Sequence, residues 1–153
     1  LTKVPGATGM SWGQAFAAIS SVPAEISGMG GKAGVLKPGA AGDVVIKQVA
    51  QAVKKNLRET DIAGRYGGEE YAVLLVDTAL DDAAVLAERL RQSVEAMLIN
   101  YNEHKIKVTL SLGIAQYNAE MKEHRQWIEA SDKALYRSKA NGRNQVTRYH
   151  ADE

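Results

Sequence analysis

Residues 67–70, with the sequence Gly-Gly-Glu-Glu, are the part of this chain whose residue types best suit chemistry. Short apolar segments lie on both sides, at 62–63 and 72–76, so the local pattern predicts two strands joined by a tight glycine turn. Such a turn has no need of two adjacent carboxylates, which repel each other unless a cation or a proton relieves them. Bare backbone beside two hard oxygen donors suits a ligand that carries phosphates and a divalent metal. The same residues also suit a solvated hairpin with two ordinary surface glutamates, and the neighbouring sequence decides between these interpretations.

The composition limits the classes of function. With 153 residues, 45% of them hydrophobic and 24% charged, the chain is long enough to form one domain around a single core. The net charge of +1 gives no field that would attract a nucleic-acid polymer or an anionic membrane surface. Cysteine is absent, which excludes disulfides and thiolate metal sites and is compatible with a reducing compartment. No apolar run approaches the ~18 residues of a membrane span, and we expect a cytoplasmic domain without membrane contact.

The elements that would position the glycine turn alternate between helices and strands from residue 43 onward. The spacing of apolar residues predicts three helices, at 43–57, after Asp81 or Asp82 as N-cap, and from 127 to about 141, where Gly142 ends the last helix. Alternating residues predict a strand over 106–114 with one face on the core, and 146–149 is predicted to be a short edge strand. The second helix has a predicted buried stripe, which comprises Val85, Leu86, Leu90, Val94 and Met97. These elements predict an α+β fold with a central, mostly antiparallel sheet flanked by helices.

Three separate segments resemble the GGDEF family, the diguanylate cyclases that condense two GTP into cyclic di-GMP. Residues 67–71 match the family signature Gly-Gly-(Asp/Glu)-Glu-Phe, with Tyr71 in place of Phe. Residues 130–144 look like the family's C-terminal helix signature, and 111–115 are similar to the strand that precedes that helix. The order and separations also fit, so the resemblance, which covers 43–149, favours the ligand-binding interpretation of the glycine turn. It implies that residues 1–153 form a single GGDEF domain with a nucleotidyl-cyclase-like fold.

Residues 1–42 match the family poorly. Residues 1–5 resemble the family's Leu-Thr-Gly-Leu-Pro opening, but the apolar strand that ends in a metal-binding Asp, and the Phe-Lys and Asn-Asp pairs after it, are missing. Residues 14–20 suit one or two helical turns, whereas 27–42 show neither helical nor strand periodicity. The family pattern begins again at Gly42 and Asp43, which stand where the family has Gly-Asp.

The resemblance implies a role for each residue of the glycine turn. Glu69 would be a carboxylate ligand of Mg²⁺ (or Mn²⁺), and Glu70 would be a second ligand or help deprotonate the attacking hydroxyl. Gly67 and Gly68 would let the backbone approach the nucleotide. Two domains, each with one GTP, would meet face to face, so that the 3′-hydroxyl of one GTP attacks the α-phosphate of the other and releases pyrophosphate. The homodimer would be transient or driven by a sensor domain.

Three further residues are implied to bind the substrate. Asp43 would accept hydrogen bonds from the guanine edge, and it also suits a helix N-cap, a role that can coexist with the first. Lys139 and Arg143 are four residues apart on the predicted last helix, so they would project from one face and hold the β- and γ-phosphates. As composition alone, this pair also suits a solvated helix end, where the helix dipole favours cations.

A regulatory site is also implied. Arg58 and Asp61 have the Arg-x-x-Asp spacing of the family's product-inhibition site, five residues before the glycines, and Arg89 matches a second arginine that often completes it. The planar fork of arginine suits guanine and phosphate, and the site would bind cyclic di-GMP. An Arg and an Asp three residues apart are otherwise an ordinary surface pair. Two alternatives to the cyclase stay open: a catalytically degenerate receptor for cyclic di-GMP, and a scaffold or dimerisation module.

Overall fold

The computed structural model describes residues 15–23, 41–67 and 69–151. In chain order these ranges form β1 (Ala15–Pro23), α1 (Ala41–Asn56), β2 (Ile62–Gly67), β3 (Glu70–Leu75), α2 (Leu80–Glu95), β4 (Ile99–Tyr101), β5 (His104–Ile106), β6 (Val108–Gln116), α3 (His124–Ala140) and β7 (Val146–Arg148). The patterns at residues 1–5 and 27–40 lie outside the described residues. None of the helices within those ranges is long and apolar enough to cross a bilayer.

Five of the strands form one sheet in the order β2-β3-β1-β6-β7, and β4 pairs with β5 in a separate hairpin. Every pairing in the larger sheet is antiparallel except that of β6 with β7. The predicted α+β fold with a mostly antiparallel central sheet is therefore confirmed. The short C-terminal edge strand is confirmed as well, at Val146–Arg148.

The prediction of helical turns at residues 14–20 is wrong, because β1 occupies the centre of the sheet. Its backbone pairs with β3 from Ala15 to Ser20 and with β6 from Ala15 to Pro23. The hydrogen-bonding edges of β3 and β6 need a partner strand between them, and this tertiary requirement overrides a weak local pattern. The apolar central strand that the family resemblance requires is thus present in the fold.

Helices cover both faces of the sheet. On β3, the buried residues Tyr71, Val73 and Leu75 belong to the core that includes α1 and α2, whereas Leu74 packs on the other face against a separate cluster, Ala115, Trp127 and Ala130. The core on the α1 and α2 side comprises Val45, Val49, Val53, Tyr71, Val73, Leu75, Ala83, Ala87, Leu90, Val94, Ile99, Ile106, Val108, Leu110, Leu112 and Ile114.

The strand predicted at 106–114 differs from the structure in two respects. Ile106 ends β5, and β6 begins at Val108. All the residues from 110 to 115 are buried, so β6 has a covered face on each side rather than one. Leu112 and Ile114 face the larger core, whereas the backbone at Gly113 lies directly against α3. A strand between two helical layers buries both its faces, and the alternating small residues Ser111, Gly113 and Ala115 fit beneath a helix.

The helix ends also differ from the predictions in detail. Neither Asp81 nor Asp82 is the N-cap of α2; Ala79 is, without a side-chain cap, and both acids lie in the first turn. Val85 is 69% exposed, so it does not belong to the predicted stripe, whose other members are buried or half-buried. The buried residues of α2 are Ala83, Ala87, Leu90 and Val94, whose spacing of three or four positions places them on one face of the helix.

Candidate nucleotide site at the glycine turn

The predicted hairpin is confirmed, with β2 and β3 antiparallel from Ile62 opposite Leu74 to Gly67 opposite Glu70. The register shifts between Arg65 and Gly67, which marks a bulge at the turn. Gly68 lies outside the described residues. A bulge increases the local twist and redirects the side chains beside it, so the glycine turn leaves the regular sheet at the position of the two glutamates.

The structure brings Glu70 together with Lys139, a residue 69 positions away in the sequence. The Lys139 Nζ donates to Glu70 Oε1 at 3.1 Å. Glu70 begins β3 and lines a groove of about 510 Å³ between the hairpin and α3, whereas Glu69 is exposed in the turn. Because both side chains of the pair keep contact with solvent, we expect the ion pair to be weak.

Arg143 does not lie on α3, so the prediction of an i, i+4 helical pair with Lys139 is wrong. The helix ends at Ala140, Asn141 is its C-cap, and Gly142 has a φ of 107°. Arg143 follows with a φ of 62° and an exposed side chain, and its backbone N–H donates to Ser138 O at 2.9 Å. Gly142 ends the helix with a left-handed turn, so Arg143 does not follow Lys139 at helical spacing.

Asp43 lies in the first turn of α1, half-buried, and is not an N-cap because the helix begins two residues earlier, at Ala41. An acid in the first turn still complements the positive end of the helix dipole. The same end of α1 is tied to the glycine turn by Tyr71, whose hydroxyl donates to Ile46 O at 2.9 Å. Burial raises the pKa of Tyr71, against a smaller opposing effect of Arg65, so the phenol remains a neutral donor. The sequence analysis did not identify this contact, although Tyr in place of Phe was its signal.

The three residues of the implied inhibitory site gather where α1 ends. The Arg58 backbone N–H donates to Asp61 Oδ2 at 2.9 Å, and the Val76 N–H donates to Asp61 Oδ1 at 3.4 Å. Arg89 of α2 donates through Nη2 to Asn56 O at 2.9 Å. Arg58 and Asp61 line a cleft of about 720 Å³ whose charged members are Lys47, Lys54, Arg58, Glu59, Asp61 and Arg65. Four cations against two acids make this cleft suitable for an anionic ligand.

The carboxylates available for a metal ion are few. Within the described ranges, no group of three or more His, Cys, Asp or Glu side chains is placed to hold one. In β1, Ser20 pairs with Glu70 on one side and Ser111 on the other, and the strand contains no acidic residue. Mg²⁺ is usually held by one or two carboxylates, substrate phosphates and water, so Glu69 and Glu70 fit an ion that is shared with a nucleotide. They do not form a protein-built cage.

This domain combines a layered α+β fold with a glycine turn, a carboxylate–lysine pair and a cationic cleft, and comparisons identify its family. The family described as "Diguanylate cyclase, GGDEF domain" matches residues 39–145. Diguanylate cyclase A of Treponema denticola is 48% identical over 108 residues, which are 71% of this chain and 29% of that protein. This chain therefore belongs to the GGDEF domain family.

Solved structures agree with this assignment. The active GGEEF domain of a diguanylate cyclase from Vibrio cholerae has a TM-score of 0.71 and 28% identity, and the match covers 90% of this chain and 84% of that one. The coiled coil and GGDEF domain of DgcB from Caulobacter crescentus, in complex with c-di-GMP, has a TM-score of 0.75 and 26% identity, covering 88% and 69%. The chain spans less than a third of the length of the curated relatives it matches.

Proposed function

We propose that this chain is a diguanylate cyclase, which joins two GTP into cyclic di-GMP and releases two pyrophosphates. The observation that carries the proposal is the contact of Lys139 with Glu70, because it joins the family's C-terminal signature to the glycine turn in one site. The names of the relatives support the same activity. A carboxylate beside a cation that can be displaced suits a site for a charged, phosphate-bearing substrate.

In this mechanism the substrate is held at three places. Lys139 binds the β- and γ-phosphates from α3, and Arg143 binds them from the turn that follows the helix. Gly67 and Gly68 would let the backbone approach the nucleotide, because they carry no side chain to obstruct it. Asp43 accepts hydrogen bonds from the guanine edge at the start of α1. These assignments rest on the family resemblance and on the positions of the residues.

Glu69 and Glu70 would hold a divalent cation, Mg²⁺ or Mn²⁺, together with the phosphates. When bound, such an ion offsets the charge that develops on the α-phosphate. Glu70 would also accept the proton of the 3′-hydroxyl, directly or through water, once a phosphate has taken its place beside Lys139. The new bond joins the 3′-oxygen to the α-phosphorus, and the bond from the α-phosphorus to the pyrophosphate oxygen breaks. A second round closes the ring.

Each domain holds one GTP, so the reaction needs two copies whose glycine turns face each other. We expect incubation of the protein with GTP and Mg²⁺ to yield cyclic di-GMP and two pyrophosphates for each ring, identified by chromatography and mass spectrometry. Binding of GTP without any product would contradict the proposal.

A second function, that of a receptor for cyclic di-GMP, is favoured by one observation. In the backbone register Ser20 of β1 pairs with Glu70, and β1 contains no acidic residue, whereas the resemblance implies a metal-binding Asp at the end of that strand. A receptor would use the cleft of Arg58 and Asp61 and would not turn over GTP. The same cleft serves the cyclase as an inhibitory site, so binding of cyclic di-GMP there is expected under either function.

Replacing Arg58 by Ala should weaken the binding of cyclic di-GMP about tenfold or more, because a bidentate, charge-assisted contact is lost. Isothermal titration calorimetry on the wild type and the variant measures the effect. The matched control is Arg125→Ala, which removes an exposed arginine of α3 that pairs with Glu129. Equal affinities for the wild type and the Arg58 variant would rule out this cleft as the binding site.

A further inference from the structure

The turn after α3 has an unusual backbone. Gly142, Arg143 and Asn144 have consecutive positive φ angles of 107°, 62° and 46°. Glycine adopts such angles readily, and asparagine does so more readily than most residues, but arginine does not. A strained run of this kind persists only where surrounding contacts hold it in place. The contacts of the turn therefore explain how Arg143 is kept in its orientation.

A polar network on α2 supplies these contacts. Arg91 has a side chain only 13% exposed and donates to both carboxylate oxygens of Glu88, at 2.8 to 3.1 Å, and to Glu95 Oε2 at 2.8 Å. Its Nη1 also donates to Asn144 Oδ1 at 2.7 Å, and Asn144 Nδ2 donates to Glu95 Oε1 at 2.7 Å. Both the oxygen and the nitrogen of the Asn144 side-chain amide are thus bonded to α2, by residues about 50 positions earlier in the sequence.

The charges of the network remain ionised at neutral pH. Hydrogen bonds from Asn144 and then from Arg91 lower the pKa of Glu95, and the hydrogen bond from Arg91 lowers the pKa of Glu88. The bond to Glu88 in turn raises the pKa of Arg91 above its ordinary value. Because these pKa values are lowered in the folded state, the contribution of the network to stability is full above the usual glutamate range and is lost as the pH falls below that range, towards the lowered pKa values.

Backbone contacts complete the anchoring. The Asn144 N–H donates to Ser111 Oγ at 3.2 Å, and the Leu112 N–H donates to Gln145 O at 2.9 Å, so the turn is also attached to β6. Gln145 Nε2 donates to Ser138 O at 2.8 Å, the carbonyl that also accepts the Arg143 N–H. The two residues that follow Arg143 are therefore anchored, while its own side chain is exposed to solvent.

We propose that Asn144, clamped by Arg91 and Glu95 of α2, is a positioning residue that presets Arg143 for a phosphate-bearing ligand. The inference rests on the proposed function, which gives Arg143 the phosphate role. Without the clamp the turn can relax towards ordinary negative φ angles, and the Arg143 side chain then leaves its binding direction. Ordering it again on binding reduces affinity, as for any site that loses preorganisation.

A double-mutant cycle tests whether Asn144 acts through Arg143. Asn144→Gly removes the clamp but still allows the left-handed backbone, and it is combined with Arg143→Ala. Binding of GTP and of inorganic tripolyphosphate is measured by calorimetry with Mg²⁺ present. Asn144→Gly should weaken both ligands about tenfold in the wild-type background and less than about twofold beside Arg143→Ala. Binding of guanosine, which has no phosphate, should not change.

The matched control is Arg148→Ala, which breaks the 2.6 Å ion pair with Asp81. That pair also ties the C-terminal segment to α2 but does not contact the turn, so tripolyphosphate binding should stay within about twofold of wild type. If Asn144→Gly does not fold, as judged by circular dichroism, Arg91→Lys replaces it in the cycle. Lysine lacks the planar fork that bonds Glu88 and Asn144 together.

Three results would overturn the inference. The first is that Asn144→Gly weakens ligand binding equally in the wild-type and Arg143→Ala backgrounds. The second is that Asn144→Gly leaves tripolyphosphate binding unchanged, and the third is that the wild-type protein binds no tripolyphosphate. Failure of the proposed function is distinguishable from these. A protein that binds tripolyphosphate and shows the coupling, but makes no cyclic di-GMP, retains the positioning role of Asn144 and loses the cyclase.

Discussion

Replacing Glu69 by Gln is expected to lower the rate of pyrophosphate release from GTP by about a hundredfold or more, because a charged metal ligand becomes a neutral amide of the same size. Glu69 is exposed in the glycine turn, so the fold should not change. The rate is measured at saturating GTP and Mg²⁺ with a coupled phosphate assay, and thermal unfolding of the variant should match that of the wild type.

The matched control for this variant is Glu103→Gln, which neutralises an exposed acid in the turn between β4 and β5. It should keep the wild-type rate, because it lies outside the candidate site. A Glu69→Gln protein that retains more than half of the wild-type rate would show that this carboxylate takes no part in catalysis.

Gly113→Ala is expected to lower the free energy of unfolding by about 3 kcal/mol or more, or to prevent folding. An added Cβ would lie 2.1 Å from Leu135 N and 2.2 Å from Ser131 O. Both are backbone atoms of α3, so no side-chain rotation relieves the clash. The helix would have to move away from β6, and Lys139 would move away from Glu70 with it.

Urea denaturation followed by circular dichroism measures this effect, with Gly64→Ala as the matched control. Gly64 is also a strand glycine, on β2, but nothing lies within 4 Å of its added Cβ. The control should differ little from wild type. Equal stability of the two alanine variants would contradict the close packing of α3 on β6.

The sequence correctly predicted the helices and strands whose formation depends mainly on their own residues. The hairpin followed from apolar segments around glycines, α1 from apolar residues such as Val45, Val49 and Val53, which are buried, and the end of α3 from Gly142. Boundaries shifted by two or three residues, as at α3, which begins at His124 through a capping box of Glu123 and Gln126. The first and last turns of a helix depend on such local contacts, which the periodicity of apolar residues does not predict.

The features that depend on distant partners could not be predicted from the sequence. The strand β1 exists because β3 and β6 need a partner between them, and its own residues suggested helical turns. The Glu70–Lys139 pair and the Arg91–Asn144 contact join residues 69 and 53 positions apart. The resemblance implied that Lys139 and Arg143 project from one helical face, but in the structure Arg143 lies in a left-handed turn beyond the end of α3.

The dependence of cyclase activity on protein concentration tests the central claim most directly, because one domain supplies only one GTP. Specific activity, measured as cyclic di-GMP formed per molecule of protein, should rise from nanomolar to high micromolar concentration. Fusion of a strong dimerising helix to the N-terminus should raise it further at low concentration, by increasing the effective concentration of the second domain. Activity per molecule that stays constant over this range in a monomeric protein, or the absence of cyclic di-GMP at every concentration, would contradict the account.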